Sequence, residues 1–512
     1  MKEKAYYIVS KARQILGGTI SADQCRDYVL ALLFLKSASE YYKSNNSFQQ
    51  DDNSPALRLL VSERSSFDYL CKELDSPELG RLINMALYEL EQVNALVTEG
   101  YEINKAIDFE SNILGDMNAR SIKLRELLLL FQEIRLTNAT GQLIDVGDLY
   151  NQLLYIFAEE AGKKINNVLT PTEVVSLITK LIDGDRKNAC LCDPASGSGT
   201  LLVEVGKKMG IRGTELYGQE VNWNLYALTK MNLMLNGFKG ATFLWGDSLS
   251  NPKLLDHGGL RKFDIVVSVP PFADKWAAEE AYSDFYKRFK YGIPPKSQVT
   301  WAYISHILAS LRNDGQAVVV VPVGVLFRNT ESKIREQIIE HNLLEAVIEL
   351  PPNLFYGAAI STAILVFRKE RMRTQTLFVD ARKGYISNKG LCKLSDKMLE
   401  QLSNTYKKFL AGEEMGREKK GCSFYIATQD EIRHNKYDLK VIKYVEDKIE
   451  RKEIDVKVAL QRIDELEERL KCIDKQFKDC AWRLRELTKE IVIMKKKTQV
   501  YDRSYSYNSS QF

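Results

Sequence analysis

The stretch of this sequence best suited to chemistry is a glycine-rich turn between a short apolar strand and a helix. It runs from Asp193 to Thr200, reads Asp-Pro-Ala-Ser-Gly-Ser-Gly-Thr, and is followed by Leu201-Leu202-Val203. Gly197 and Gly199 have no Cβ and can adopt positive φ, so the backbone can approach a ligand closely there. Many α/β proteins carry such a turn as plain architecture, and the segment alone is therefore weak evidence for a cofactor.

Two acidic residues follow the turn, each at the end of a predicted strand. Glu220 lies about twenty residues beyond the turn, a spacing at which a carboxylate accepts the ribose hydroxyls of a nucleoside cofactor. Asp247 follows the next predicted strand, Phe243 to Trp245, where it could accept from an adenine amino group. Either acid alone is more often a helix cap or a turn residue. In this order, and together with the turn, the two acids favour an adenosyl cofactor.

A β-branched strand further along the chain ends abruptly in Val269-Pro270-Pro271-Phe272. The two prolines fix the backbone and lack N–H groups, while Phe272 offers a flat face on which a base can stack. The segment resembles the Asn-Pro-Pro-Phe/Tyr motif of amino-group DNA methyltransferases. With the turn and the two acids, it resembles an S-adenosylmethionine-dependent adenine-N6 methyltransferase. A small-molecule or protein methyltransferase is a more distant alternative, because Pro-Pro-Phe belongs to amino-nitrogen substrates held by stacking.

Residues 151–440 alternate predicted helices with β-branched strands, as in Ala317 to Val321 and Ala363 to Phe367. Continuous Val/Ile runs bounded by turns predict strands buried on both faces, hence a mostly parallel sheet covered by helices. Such sheets bind ligands at the carboxyl ends of their strands. The predicted fold class is therefore α/β, and the resemblance implies a Rossmann-like methyltransferase domain of the S-adenosylmethionine-dependent type.

The regions on either side of this domain differ from it in pattern. Residues 1–150 are rich in helix formers and predict a helical N-terminal domain. Residues 441–498 predict a coiled-coil arm, either packed on another subunit or folded back as a hairpin on its own domain. Residues 499–512, rich in Tyr and Ser, predict a disordered tail. The seam of the arm repeats in alternating threes and fours at Val456, Ala459, Ile463, Leu466, Leu470, Ile473, Phe477, Cys480, Leu484, Leu487, Ile491 and Met494.

Ordered blocks over nearly the whole chain resemble the methylation subunit of type I restriction-modification systems. They include Asp27 to Lys36, Thr170-Pro171, Trp301 to Leu308 and Asn435 to Leu439. The resemblance implies methyl transfer to adenine N6 in DNA, with the Pro270 carbonyl accepting from the amino group. The cofactor-binding residues that it implies are Thr170, Pro171, Asp193, Ala195, Ser196, Gly197, Ser198, Gly199, Thr200, Glu220 and Asp247.

The same resemblance implies partners. In that family the C-terminal helical region packs on a specificity subunit that chooses the DNA site, and this chain contains no such recognition domain of its own. A second copy of the chain and a restriction/translocase subunit are further expected partners.

One residue departs from the family motif at the centre of the chemistry. Where the family has Asn, this chain has Val269, whose side chain accepts no hydrogen bond. Losing one preorganised polar partner of a reacting group typically lowers the rate by about 10²–10³-fold. Ser268 should point to the opposite face of its strand and is a poor substitute. Two alternatives remain: an inactive, cofactor-binding assembly subunit that clamps DNA, or a weak enzyme with altered geometry.

Composition limits the remaining possibilities. The 512 residues include 72 Lys and Arg against 68 Asp and Glu, a net charge of +4 that neither requires nor excludes a nucleic acid. The longest apolar run is too short to span a bilayer and no signal-like core follows Met1, so we expect a cytoplasmic protein. Eight scattered cysteines and four histidines predict reduced, structural thiols and no metal site.

Overall fold

The computed structural model describes residues 1–47, 59–94, 103–137, 144–161, 169–184, 188–238, 240–272, 274–355, 360–383, 385–388, 391–413, 418–419, 422–445 and 456–508. The chain divides into two compact units, Met1–Glu446 and Asp447–Phe512. No helix in the described ranges has the length and apolarity needed to cross a membrane.

The N-terminal part of the first unit is helical. Its longest helix begins after Ser21, whose hydroxyl accepts from the Gln24 N–H at 3.2 Å while the Gln24 side chain accepts from the Ser21 N–H at 2.9 Å. This reciprocal cap fixes the start of the helix. The following run from Val29 to Leu35 is fully buried in one large apolar core. The helices are α1 (Lys2–Leu16), α2 (Ala22–Ser47), α3 (Phe67–Lys72), α4 (Leu79–Val93), α5 (Ile103–Ala106), α6 (Met117–Glu133) and α7 (Val146–Ala161).

The rest of the first unit is an α/β sheet domain, as the sequence predicts. Its helices are α8 (Thr172–Leu181), α9 (Thr200–Met209), α10 (Trp223–Leu235), α11 (Val299–Ser310), α12 (Ser332–Glu340), α13 (Asp396–Ala411) and α14 (Gln429–His434). Its strands are β1 (Leu191–Asp193), β2 (Leu216–Glu220), β3 (Thr242–Trp245), β4 (Leu255–Asp256), β5 (Gly259–Leu260), β6 (Phe263–Ser268), β7 (Leu311–Pro322), β8 (Leu344–Glu349), β9 (Thr362–Arg368), β10 (Thr376–Asp380), β11 (Tyr385–Asn388), β12 (Leu391–Leu394), β13 (Glu418–Lys419) and β14 (Cys422–Ala427).

Ten of these strands form one sheet in the order β13-β14-β10-β8-β9-β7-β6-β1-β2-β3. From β3 to β7 every neighbouring pair is parallel, and β8 and β10 are parallel to each other. Strand β9 lies antiparallel between β7 and β8, so those two strands run in the same direction. The carboxyl ends of β1, β2, β3, β6, β7, β8 and β10 therefore lie along one edge of the sheet.

Apolar side chains cover both faces of the central strands. In β7, Val318 and Val320 pack into a core formed with α8, α9 and α13, whereas Val319 and Val321 pack into a second core formed with α11 and α12. Alternate residues of a strand point to opposite faces. The continuous valine run is thus explained by burial on both sides.

Helix α10 joins the helical region to the sheet domain. Leu225, Leu228 and Met231 belong to the same core as the N-terminal helices. Tyr226 and Leu233, on other sides of the helix, belong to a core of the sheet domain. Helix α10 is consequently buried between the two parts, with its first turn at the edge where the parallel strands end.

The second unit contains α15 (Val456–Asn508), a helix of 53 residues with no glycine or proline. Seam side chains such as Ile463, Leu470 and Phe477 are exposed on it. The helix continues through residues 499–508, which the sequence assigns to a disordered tail, because no helix-breaking residue interrupts it there. Residues 509–512 of that tail lie outside the described ranges.

Candidate active site

A cavity of about 400 Å³ lies where β1, β2 and β6 end. Most of the residues chosen from the sequence line this cavity, although they come from segments a hundred residues apart. The predicted residues in its wall are Thr170, Asp193, Ala195, Ser196, Gly197, Ser198, Thr200, Glu220, Val269, Pro270, Pro271 and Phe272.

Asp193 ends β1 and is almost fully buried, with 1% of its surface exposed. Its Oδ1 accepts from the Ala195 N–H at 3.0 Å and from the Ser268 hydroxyl at 2.9 Å. Burial raises the pKa of Asp193 to about 7, and the nearby Glu220 carboxylate adds to the rise, against the effect of the two hydrogen bonds. The cavity therefore holds a carboxyl group that changes charge near neutral pH.

Glu220 ends β2 and is bound by two backbone N–H groups. Its Oε2 accepts from Gly197 and its Oε1 accepts from Asn222, both at 2.8 Å. Burial raises the pKa of Glu220, and these backbone hydrogen bonds oppose the rise by favouring the ionised form. One carboxylate thus fixes the glycine turn on one side and the start of α10 on the other.

The two glycines of the turn have different roles. Both have positive φ, 56° at Gly197 and 71° at Gly199. A Cβ on Gly197 would meet no atom within 4 Å, and this residue lines the cavity. A Cβ on Gly199 would lie 2.3 Å from Cγ2 of Thr229. Gly199, predicted to bind the cofactor, is not in the cavity wall, and its lack of a Cβ allows the close contact between the start of α9 and Thr229 of α10.

Two other predicted residues do not line the cavity. Pro171 precedes α8, and its carbonyl accepts from the Val174 and Val175 N–H groups. Asp247 accepts from the Leu249 N–H at 2.8 Å and from the Ser250 hydroxyl at 2.9 Å, so its carboxylate closes the turn after β3. Such local turns are what Asp side chains commonly form.

The segment after β6 forms the opposite wall. The Phe272 ring is 8% exposed and meets the Phe355 ring edge-to-face, with ring centroids 5.9 Å apart. The Pro271 carbonyl accepts from the Thr300 hydroxyl at 3.2 Å. Ser268 is not part of the cavity wall, and its hydroxyl donates to Asp193 at 2.9 Å. Position 269 therefore presents only a hydrocarbon side chain to the cavity.

The sequence did not identify several residues of the cavity wall, among them Asn222, Leu225, Asp274 and Tyr303. Burial, together with Asp247 and Glu220, raises the pKa of Tyr303 well above its usual value, so its hydroxyl stays protonated. Tyr303 belongs to α11, and its place at the cavity depends on how that helix packs on the sheet. The block from Trp301 to Leu308 contains it, but nothing in that block indicates which side chain faces the cavity.

The described residues contain no cluster of three or more His, Cys, Asp or Glu side chains able to hold a metal ion. The parallel strands, the glycine turn after β1 and the acid after β2 define the fold of an S-adenosylmethionine-dependent methyltransferase. The methyltransferase subunit of a type I restriction-modification system from Streptococcus thermophilus has this fold, with a TM-score of 0.74 and 23% sequence identity. The match covers 87% of this chain and 100% of that one.

Sequence comparison establishes the family. The N-6 DNA Methylase family matches residues 143–453. The type I restriction enzyme MpnII methylase subunit of Mycoplasma pneumoniae is 31% identical over 403 residues, which cover 75% of this chain and 71% of that protein. The MjaIX methylase subunit of Methanocaldococcus jannaschii is 28% identical over 511 residues, covering 92% and 87%. The chain belongs to the type I methylase subunits of the N6-adenine DNA methyltransferase family, whose cofactor is S-adenosylmethionine.

The contact at Gly199 predicts that Gly199→Ala lowers the free energy of unfolding by about 3 kcal/mol, since left-handed backbone strain and overpacking add. Gly197→Ala should lower the free energy of unfolding by about 1 kcal/mol, because only the left-handed backbone strain applies there. Chemical denaturation of both variants measures the difference. Adding Thr229→Ser to Gly199→Ala removes the Cγ2 atom and should restore part of the loss. Equal destabilisation by the two single substitutions would contradict the assigned roles.

Proposed function

We propose that this chain is the methylation subunit of a type I restriction-modification complex. It transfers a methyl group from S-adenosylmethionine to adenine N6 in DNA, at a site chosen by a separate specificity subunit. The observation that carries the proposal is the single cavity whose walls hold both the glycine turn with its two acids and the Pro-Pro-Phe segment. A methyl donor and a base bound on these two walls would be neighbours.

The residues present fit this cofactor. The cavity volume of about 400 Å³ falls in the range usual for small-molecule sites. No atom lies within 4 Å of the position that a Cβ on Gly197 would occupy, so a ligand can approach the backbone there. Glu220 is held rigidly enough to accept from ribose hydroxyls, and Asp193 supplies negative charge for the methionine end. S-adenosylmethionine supplies a methyl group on a cationic sulfur that is reactive towards a nitrogen lone pair.

The raised pKa of Asp193 gives a test of cofactor binding. Below pH 7 the empty site holds a proton on Asp193, and a cationic ligand favours the ionised carboxylate, so binding releases that proton. The affinity for S-adenosylmethionine should therefore rise with pH, by up to about tenfold per unit below pH 7, and level off above it. Calorimetric titrations from pH 5.5 to pH 8.5 measure this.

The matched variant is Asp193→Asn, which should bind more weakly and show a smaller dependence on pH. A wild-type affinity that is flat across this range would contradict the role given to Asp193.

The opposite wall suits a flipped adenine. A base must leave the duplex before its amino group can be reached, and an aromatic face then holds it. Phe272 offers that face, and its edge-to-face contact with Phe355 fixes the ring. Pro270 lies in the same wall, and we assign its carbonyl as the acceptor for the amino group.

Val269 supports a second candidate, a catalytically impaired subunit that binds cofactor and clamps DNA. The valine lies in the cavity wall, and the neighbouring Ser268 hydroxyl is already bound to Asp193. Neither side chain can therefore orient the amino group. The Pro270 carbonyl would act alone, which favours slow or absent transfer while leaving the cofactor wall intact.

Restoring the acceptor tests these two candidates. Val269→Asn should raise the rate of methyl transfer to cognate DNA by about 10²–10³-fold, because one preorganised acceptor is regained. The assay uses labelled S-adenosylmethionine and the complex with the specificity subunit. Val269→Leu, which adds volume but no acceptor, is the control and should gain nothing. Wild-type transfer as fast as that of Val269→Asn would show that another group orients the amino nitrogen.

The partner proposal concerns α15. Its seam exposes 65% of Leu470 and 72% of Phe477, an arrangement typical of a helix that pairs with another helix. We assign this seam to the specificity subunit. The second copy of the chain and the restriction/translocase subunit are further proposed partners, without a surface assigned to them.

Charging the seam should break this assembly. Leu470→Asp with Phe477→Asp should abolish co-purification with the specificity subunit, whereas Lys471→Asp with Lys478→Asp, outside the seam, should retain it. Measuring the unfolding of the isolated chain distinguishes binding to the specificity subunit from the alternative in which α15 folds back as a hairpin. If Leu470→Asp with Phe477→Asp lowers the free energy of unfolding of the isolated chain but does not reduce co-purification with the specificity subunit, α15 folds back on its own chain.

A further inference from the structure

The first turn of α10 belongs to the cavity and to the helical core at once. Leu225 lines the cavity and packs among the N-terminal helices. Asn222 caps α10 by accepting from the Leu225 N–H at 3.1 Å, and its own N–H donates to Glu220. Any movement of this turn therefore shifts both a wall of the cavity and a partner of the Glu220 carboxylate.

A buried carboxylate of the helical region holds the same turn. Asp27 of α2 is 5% exposed, and its Oδ2 accepts from the Asn224 amide at 3.1 Å. Its Oδ1 accepts from the Arg26 guanidinium at 2.9 Å, and Arg26 also donates to Asp23 at 2.7 Å. Removing one member of a buried charged network leaves another uncompensated, so the network resists rearrangement. Asn224 lies between Asn222 and Leu225 in the chain. Its hydrogen bond to Asp27 therefore restrains the turn of α10 that lines the cavity.

We propose that Asp27 is a positioning residue for the cofactor site and acts through Asn224 on the first turn of α10. The helical N-terminal region thereby sets the affinity of the cavity for the nucleoside half of the cofactor. This inference rests on the proposed function, because it takes the cavity to be the S-adenosylmethionine site. It assigns to the helical region a direct effect on cofactor binding in addition to packing.

The chain contains a matched control for this contact. The Tyr150 hydroxyl of α7 donates to the Leu228 carbonyl of α10 at 2.8 Å, in a fully buried position. It joins the helical region to the same helix, about one turn further from the cavity. Tyr150→Phe and Asn224→Ala each delete one hydrogen bond between the same two parts of the molecule.

The experiment measures thermal unfolding and ligand affinity for the full chain, with S-adenosylmethionine, S-adenosylhomocysteine and adenosine as ligands. Asn224→Ala should weaken all three by about fivefold, because the change affects the nucleoside half that they share. Tyr150→Phe should lower the melting temperature comparably and change the affinities by less than about twofold. A purely structural role for Asn224 would give the two variants the same affinities.

Wild-type affinity in Asn224→Ala would overturn the inference and leave the proposed function standing. A wild-type chain that binds none of the three ligands would overturn both.

Discussion

The candidate site depends on the two hydrogen bonds that the Glu220 carboxylate accepts from the Gly197 and Asn222 N–H groups. They connect the end of β2 to the turn after β1 and to the start of α10. A carboxylate is a strong acceptor for backbone N–H groups. The same group that supports the proposed ribose contact thus also holds the surrounding backbone in place.

Helix α10 extends this arrangement to the rest of the molecule. Because it is buried on several sides, its position is set jointly by the sheet domain and by the N-terminal helices. Native cores are closely packed and transmit small displacements. The helical region is therefore packed against the helix whose first turn lines the cavity, and Asp27 makes a polar contact with that turn.

Val269 differs from the Asn of the family motif at one position, while the structure around it is formed. The strand before it pairs with β7, and the rings of Phe272 and Phe355 are in contact. On the facing wall, Glu220 accepts from the Gly197 N–H. Binding and group transfer place different demands on a site, since transfer needs an acceptor aimed at the reacting nitrogen. A single hydrocarbon side chain at this point can separate the two functions.

The sequence by itself determined the α/β class, the buried parallel strands and most of the cavity wall. These properties follow from local composition, because strand burial, glycine turns and acids at strand ends are encoded by consecutive residues. It did not distinguish Gly197, which lines the cavity, from Gly199, which does not, or Glu220 in the cavity wall from Asp247 in the turn after β3. Those differences depend on neighbours distant in the chain, such as Thr229 beside Gly199. Tyr303, the antiparallel β9 and the contact between Asp27 and Asn224 were decided only by tertiary packing, which brings together groups that no local pattern connects.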